Sequence, residues 1–240
     1  MGERLDIHNS ETPVLCRSCE ARHQGMCGVL KPDELVELAR HTHKVRHQLG
    51  DELIADSTAI HSYANVMRGV VKLSKVLEDG RQQLVGLQFA PDFLGRLFGR
   101  ESVLTAEAAS TVDLCVIPRP ALEQMIEKTP ALEHRLMQQT LRELDEARDW
   151  MVTLGRKTAQ EKVASFLYLI AQHADPASEA VEGITFELPL TRSDIADFLG
   201  LTIETVSRQL TRLRQLGAIS IINNRTVDIP DIDALQALCG

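Results

Sequence analysis

At 240 residues the chain is long enough to bury a full core and to form two domains. Its apolar share of 44% is ordinary, and no run of about 18 apolar residues offers a membrane span. A formal charge of −8 argues against wholesale coating of nucleic acid but leaves room for a basic face on one element.

The first stretch, "MGERLDIHNSETP", is polar and has no apolar core of a secretory signal, so the expected location is cytoplasmic. Thiols stay reduced there, and clustered cysteines more often bind metal than pair with one another. "LCRSCEARHQGMCG" follows and carries Cys16, Cys19 and Cys27, three of the five cysteines in the chain. Residues 1–30 are expected to form an irregular arm that bears these thiols. "KPDELVELARHTH" then reads as a short helix with Pro32 at its start and Leu35, Val36, Leu38 and Ala39 on one side.

From about 45 to 118 the pattern turns to short strands such as "YANVMRGVVKLSKVL" and "RQQLVGLQFA", with "EDG" turning the chain between them. Regular short strands with turn signals predict a small antiparallel barrel or sandwich over 31–118. Pro118 and Pro120 close it. Residues 119–155 are expected to be dominated by a helix from Pro130 to Leu154, ended or hinged at Gly155. Met137, Thr140, Leu144, Ala147, Met151 and Leu154 recur at alternating spacings of three and four, flanked by Glu143, Glu146 and Arg148. That is the seam of a helix pairing with its own copy, or a face covering the barrel.

The rest, 156–240, opens with a helix over "TAQEKVASFLYLIAQHA", whose Val163, Phe166, Leu167 and Ile170 face inward, and a polar loop "DPASEAVEG". "LTRSDIADFLGLTIETVSRQLTRLRQLGAI" then reads as helix, tight turn, helix. Thr191 and Asp194 form a capping-box pattern, Gly200 supplies the positive φ of the turn, and Thr202 caps the second helix. Ile195, Ala196, Leu199, Val206, Leu210 and Leu213 are expected inside. Glu204, Thr205, Ser207 and Arg208 are expected on the exposed face, followed by Arg212 and Arg214. A glutamate can accept from cytosine N4 and an arginine can fork onto guanine. Glu204 and Arg208, four apart, share one face and can reach neighbouring base pairs, or form an ordinary surface ion pair. "AISIINNRTVDI" reads as a hairpin wing with Asn223 and Asn224 at its tip, and Arg225 is a candidate phosphate contact. No Ser/His/Asp set, phosphate loop or paired-carboxylate motif stands out, so an enzyme is not expected.

With these elements in place the chain resembles the CRP/FNR superfamily of transcription regulators over nearly its whole length. It is most similar to the FNR branch and its FnrL-type members. The residues that carry this are "LTRSDIADFLGLTIETVSRQL", "EDGRQQLVGLQFAPDFLGR" and "LGRKTAQEKVASFL". The resemblance implies an α+β fold: a β-roll like that of cyclic-nucleotide-binding domains, a long dimerisation helix, and a winged helix-turn-helix. It implies a homodimer that binds double-stranded DNA at inverted repeats of TTGAT-like half-sites and works with RNA polymerase. Glu204, Ser207 and Arg208 would read bases; Thr191, Arg212 and Arg225 would touch the backbone. It also implies a [4Fe-4S] cluster on Cys16, Cys19, Cys27 and Cys115, the last from "TVDLCVIP". The residues alone leave other readings open: four thiols also suit structural zinc, and Cys115 would by default be a core thiol. Cys239 matches no family ligand. Nucleotide-binding members carry a Glu where Arg96 stands, and "TAEAAS" lacks their phosphate arginine, so no cyclic nucleotide is expected. His61 stays open as a haem ligand.

Overall fold

The computed structural model describes residues 13–17, 19–174, 183–223 and 225–240. The polar stretch 1–12, nearly all of the expected polar loop, and Asn224 at the expected wing tip lie outside them. The chain divides into two compact units, 1–75 with 85–145, and 76–84 with 146–240.

In the first unit the arm folds as three single turns: α1 (Val14–Arg17), α2 (Glu20–His23) and a tight 3₁₀ turn (Met26–Val29). Turns this short are not stable alone, so tertiary contacts hold them. Met26 is fully buried among Leu38, Tyr63, Phe93 and Ile117. Gly28 lets the arm close on itself, because a Cβ there would sit 3.1 Å from the Arg22 carbonyl. Helix α3 (Pro32–Ala39) follows with Pro32 in its first turn and Leu35 and Leu38 buried.

Eight strands make the barrel: β1 (His43–His47), β2 (Glu52–Ile54), β3 (Ser62–Arg68), β4 (Val70–Val76), β5 (Gln82–Phe89), β6 (Phe93–Leu94), β7 (Thr105–Ala108) and β8 (Val112–Pro118). They form two four-stranded sheets, ordered β1-β8-β3-β6 and β2-β7-β4-β5. Strand alternation sorts the first sheet into two faces. Ala64, Val66, Leu94, Val112 and Leu114 pack inward with Val71, Ala106 and Ala108 of the second sheet. Tyr63, Phe93 and Ile117 face the other way, into a core completed by the arm, α3 and the next helices.

The strand region closes at Pro118, where β8 ends, and Pro120 sits in the first turn of α4 (Arg119–Lys128), where a missing N–H is harmless. Helix α5 (Pro130–Arg156) runs through Gly155, so that glycine neither ends nor hinges it. Leu132 and Leu136 bury against the barrel. A different face stays bare: Met137, Leu141, Leu144, Met151 and Val152 are between 44% and 72% exposed.

The second unit holds the tip of the β4–β5 hairpin, α6 (Ala159–Ala174), β9 (Ile184–Glu187), α7 (Arg192–Leu199), α8 (Ile203–Gln215), β10 (Ser220–Ile222), β11 (Thr226–Ile229) and α9 (Ile232–Ala237). The wing is three-stranded, ordered β10-β11-β9. Gln83, on the hairpin, donates from Nε2 to the Asp197 carbonyl at 2.6 Å, and Trp150 stacks at a tilt on Phe198. Among the described residues no helix is long and apolar enough to cross a membrane.

Candidate thiol centre and nucleic-acid interface

Cys16 lies in α1, Cys19 just before α2, and Cys27 in the 3₁₀ turn. Each sits at a local turn, with Cys16 N donating to Pro13 O at 2.8 Å and Leu30 N to Cys27 O at 3.2 Å. Cys115 comes from the middle of β8, opposite Asn65 of β3 and Lys44 of β1. Residues directly opposite in an antiparallel pair share a face. Cys115 therefore shares its face with Tyr63, Asn65 and Ile117, the face that the arm covers. Cys19 is buried and the other three thiols are half-buried.

The four sulfurs feel one another. Burial, then the neighbouring Cys19, pushes Cys16 up to about 11, with Arg22 opposing. Burial, then Cys19, also pushes Cys115 up to about 11, against a hydrogen bond from Thr42. Cys27 rises well above the ordinary thiol value through burial and then through Cys19, Cys115 and Cys16 in turn. Such thiols are protonated near neutrality, and a group with strong positive charge is what would turn them into thiolates together. Among the described residues no three His, Cys, Asp or Glu side chains are gathered closely enough to hold a single metal ion. The donor set itself, three thiols from the arm and one from the sheet on one face, fits a group that takes four thiolates. Cys239 stands apart in the second unit, where its sulfur donates to Leu235 O at 3.4 Å.

Two neighbours of this centre carried no signal in the sequence. Asn65, 1% exposed, donates from Nδ2 to Cys27 Sγ at 3.9 Å, and its Oδ1 has no hydrogen-bond partner. An unpaired buried carbonyl of this kind costs about 1–3 kcal/mol. Arg135 of α5 donates from Nε to Gly25 O at 3.2 Å and from Nη2 to Gln24 O, so the helix grips the arm between Cys19 and Cys27. Asp113, two residues from Cys115, has a side chain only 5% exposed and binds Lys44 at 2.9 Å and Arg46 at 2.7 Å. The Arg46 hydrogen bonds and the Lys44 ammonium hold its carboxyl well below the usual range.

Elsewhere in the first unit a cavity of about 680 Å³ opens between the sheets and α5. His61 and Arg96 line it, as do Gln88 and Gln139, each 7% exposed with an unpartnered Oε1.

The second unit presents the helix pair. Thr191 caps α7, accepting from Asp194 N at 3.1 Å and donating to Asp194 Oδ2 at 2.6 Å. Gly200 takes φ +61°, the left-handed conformation of the tight turn. Thr202 caps α8, accepting from Thr205 N at 3.3 Å. Ile195, Ala196, Leu199, Val206, Leu210 and Leu213 are all buried, joined by Phe198. Glu204, Ser207, Arg208 and Arg212 are exposed, and so is Arg225 beyond the turn after β10. Arg208 donates to the Thr205 hydroxyl at 3.4 Å, and among the described residues no ion pair joins it to Glu204. Glu204 and Arg208 thus both lie exposed, four residues apart, in the N-terminal half of α8.

Two family models match the chain: a Crp-like helix-turn-helix domain over residues 161–238 and a cyclic nucleotide-binding domain over residues 44–129. A probable transcriptional activator of Rhizobium leguminosarum bv. viciae is 54% identical over 98% of this chain and 97% of its own length. The transcriptional activator protein FnrL of Cereibacter sphaeroides is 41% identical over 96% of this chain and 95% of its own. The solved structure of FixK2 from Bradyrhizobium japonicum superposes with a TM-score of 0.74 at 30% identity, over 83% of this chain and 98% of that one. These relatives are regulators rather than enzymes, and this chain belongs to the CRP/FNR family of transcription regulators.

Proposed function

We propose that this chain is an oxygen-responsive transcription activator that holds a [4Fe-4S] cluster through Cys16, Cys19, Cys27 and Cys115. The observation that carries the reading is the gathering of three arm thiols and one strand thiol at a single sheet face, where burial and then the neighbouring Cys19 raise Cys16, Cys27 and Cys115 alike. Relatives named FnrL and "Fumarate and nitrate reduction regulatory protein" support it. When bound, the cluster supplies an oxygen-labile cross-link between four thiolates. Arg135 ties the arm's 24–25 carbonyls to α5 two residues before Met137, where the bare apolar face begins. That face, with Met137, Thr140, Leu144, Ala147, Met151 and Leu154, pairs with a second copy in a homodimer. The dimer sets two α8 helices about one DNA turn apart. Glu204, Ser207 and Arg208 then read TTGAT-like half-sites in cytoplasmic DNA while Thr191, Arg212 and Arg225 hold the backbone. RNA polymerase is the partner at anaerobic promoters.

A cyclic nucleotide has no place in this reading, because Arg96 puts a cation where ribose recognition needs an acceptor. A second reading, a zinc-bearing or cluster-free member with another effector, draws on the cavity and its unpartnered Gln88 and Gln139 oxygens. Anaerobic purification with iron, sulfide and zinc analysis decides. A brown protein with iron and sulfide that bleaches in air is expected. A colourless protein, with or without zinc, overturns the cluster.

A further inference from the structure

Strand β3 runs Tyr63, Ala64, Asn65, Val66, all buried. Asparagine is poorly suited to the middle of a buried strand, and nothing in the apolar core beside it calls for an amide. Tyr63 and Phe93 flank it on the same face, and both pack in the core. Asn65 is also only half satisfied, since its Oδ1 is buried without a partner. Its surroundings give the reason. Its Nδ2 points at Cys27 Sγ from 3.9 Å, and the strand register sets it directly across from Cys115. The amide therefore lies between an arm thiol and the strand thiol, the two parts that must come together.

We propose that Asn65 is a positioning residue for the thiol centre, donating hydrogen bonds to the Cys27 thiolate and setting how fast oxygen destroys the bound group. The inference rests on the cluster reading above. A hydrogen bond to a ligand sulfur draws charge off it and raises the reduction potential of the iron behind it. Dioxygen takes up the electron that this iron gives up, so a higher potential slows the loss. The same bond orients the Cys27 side chain toward Cys115. Free Oδ1 leaves the amide able to serve a second partner, a water or a thiol proton, before the group is loaded.

The test uses full-length protein reconstituted anaerobically with ferrous iron and sulfide, as wild type, Asn65→Leu and Asn65→Asp. Leucine keeps the bulk and removes the donor; aspartate keeps the shape and places negative charge against the thiolate. Three quantities are read: iron and sulfide per chain, the decay of visible absorbance in air-saturated buffer, and the iron–thiolate stretching bands in the Raman spectrum. Asn65→Leu is expected to bleach about ten-fold faster with shifted bands, and Asn65→Asp faster still. Failure of both variants to load, with wild-type circular dichroism, equally supports the role. Wild-type decay and unshifted bands in both variants overturn it, as does loss of fold in both. Wild-type protein without iron and sulfide instead defeats the cluster reading itself, before any variant is compared.

Discussion

The helix pair of the second unit and the thiol face of the first are built on opposite plans. Around α7 and α8 the polar groups at the helix starts are closed among themselves: Thr191 with Asp194, Thr202 with Thr205. The apolar stripes are buried, Glu204, Ser207, Arg208 and Arg212 point outward, and among the described residues of α8 only Gln209 is buried with an unpartnered amide oxygen. The thiol face differs in its thiols: three are half-buried, and burial and then the neighbouring Cys19 lift each of them above the ordinary thiol value. A region that reads a rigid external partner can be finished in advance. A region proposed to take in a charged group would be completed only by that group.

The largest way to break this comparison is to remove the strand's share. Cys115→Ser is expected to abolish iron and sulfide binding altogether, since one lost thiolate opens a four-ligand site. The fold should survive, because β8 keeps its ladders to β1 and β3, and circular dichroism checks this. Cys239→Ser should keep full metal content. Full iron in Cys115→Ser would take the sheet out of the site. Next in size is Ala147→Asp, at an exposed position of the bare α5 face. Two buried like charges facing each other in a dimer should cost several kcal/mol and give a monomer with poor site affinity. Sedimentation of the anaerobic mutant reads it, and an intact dimer would mean that another face pairs.

How much of this the sequence revealed follows the same division. The caps, Gly200 and the buried stripe of α7–α8 were legible because each rule acts within one helical turn. The barrel was legible as a class, from strand length and turn spacing. The wing's third strand, β9, was not, since it pairs with β11 from some forty residues away in the chain. The arm's three turns were missed because single turns have no periodicity. Helix α4 was missed because Pro118 and Pro120 were read only as the close of the strand region, although a proline also suits a first helical turn. Cys115 was singled out only through family resemblance; a thiol in an apolar strand otherwise reads as core. Asn65 gave no signal, as one amide in a strand acquires meaning only from the residue across the ladder.

The proposed base-reading and backbone contacts of α8 can be separated experimentally. Arg208→Ala should cost about 1–3 kcal/mol at the specific site and relax preference at the guanine, with binding to random DNA nearly unchanged. Arg212→Ala should weaken all sequences alike and reduce the salt slope by about one unit. Competition assays on both DNAs at several salt concentrations read the two. Equal losses on specific and random DNA for Arg208→Ala would remove its base-reading role.

The smallest expected effect tests whether the second unit is finished in advance. Thr191 has two claims on one hydroxyl: the proposed backbone contact, and the cap in which it both accepts from and donates to Asp194. A cap acts in free protein, while a phosphate contact acts only in the complex. Thr191→Ala should therefore lower unfolding stability by about 1 kcal/mol without DNA present. Thr191→Ser, which keeps the oxygen, should restore most of it. A neutral hydroxyl displaces no counterion, so the salt slope should stay at the wild-type value in both variants. If the cap is the whole role, the alanine variant loses DNA affinity only to the extent that α7 frays. The loss then disappears when binding is measured well below the melting range. If the hydroxyl also holds a phosphate, a residual loss persists there in Thr191→Ala and is absent in Thr191→Ser. Unchanged melting of Thr191→Ala would show that the closed pair with Asp194 does not stabilise the helix start.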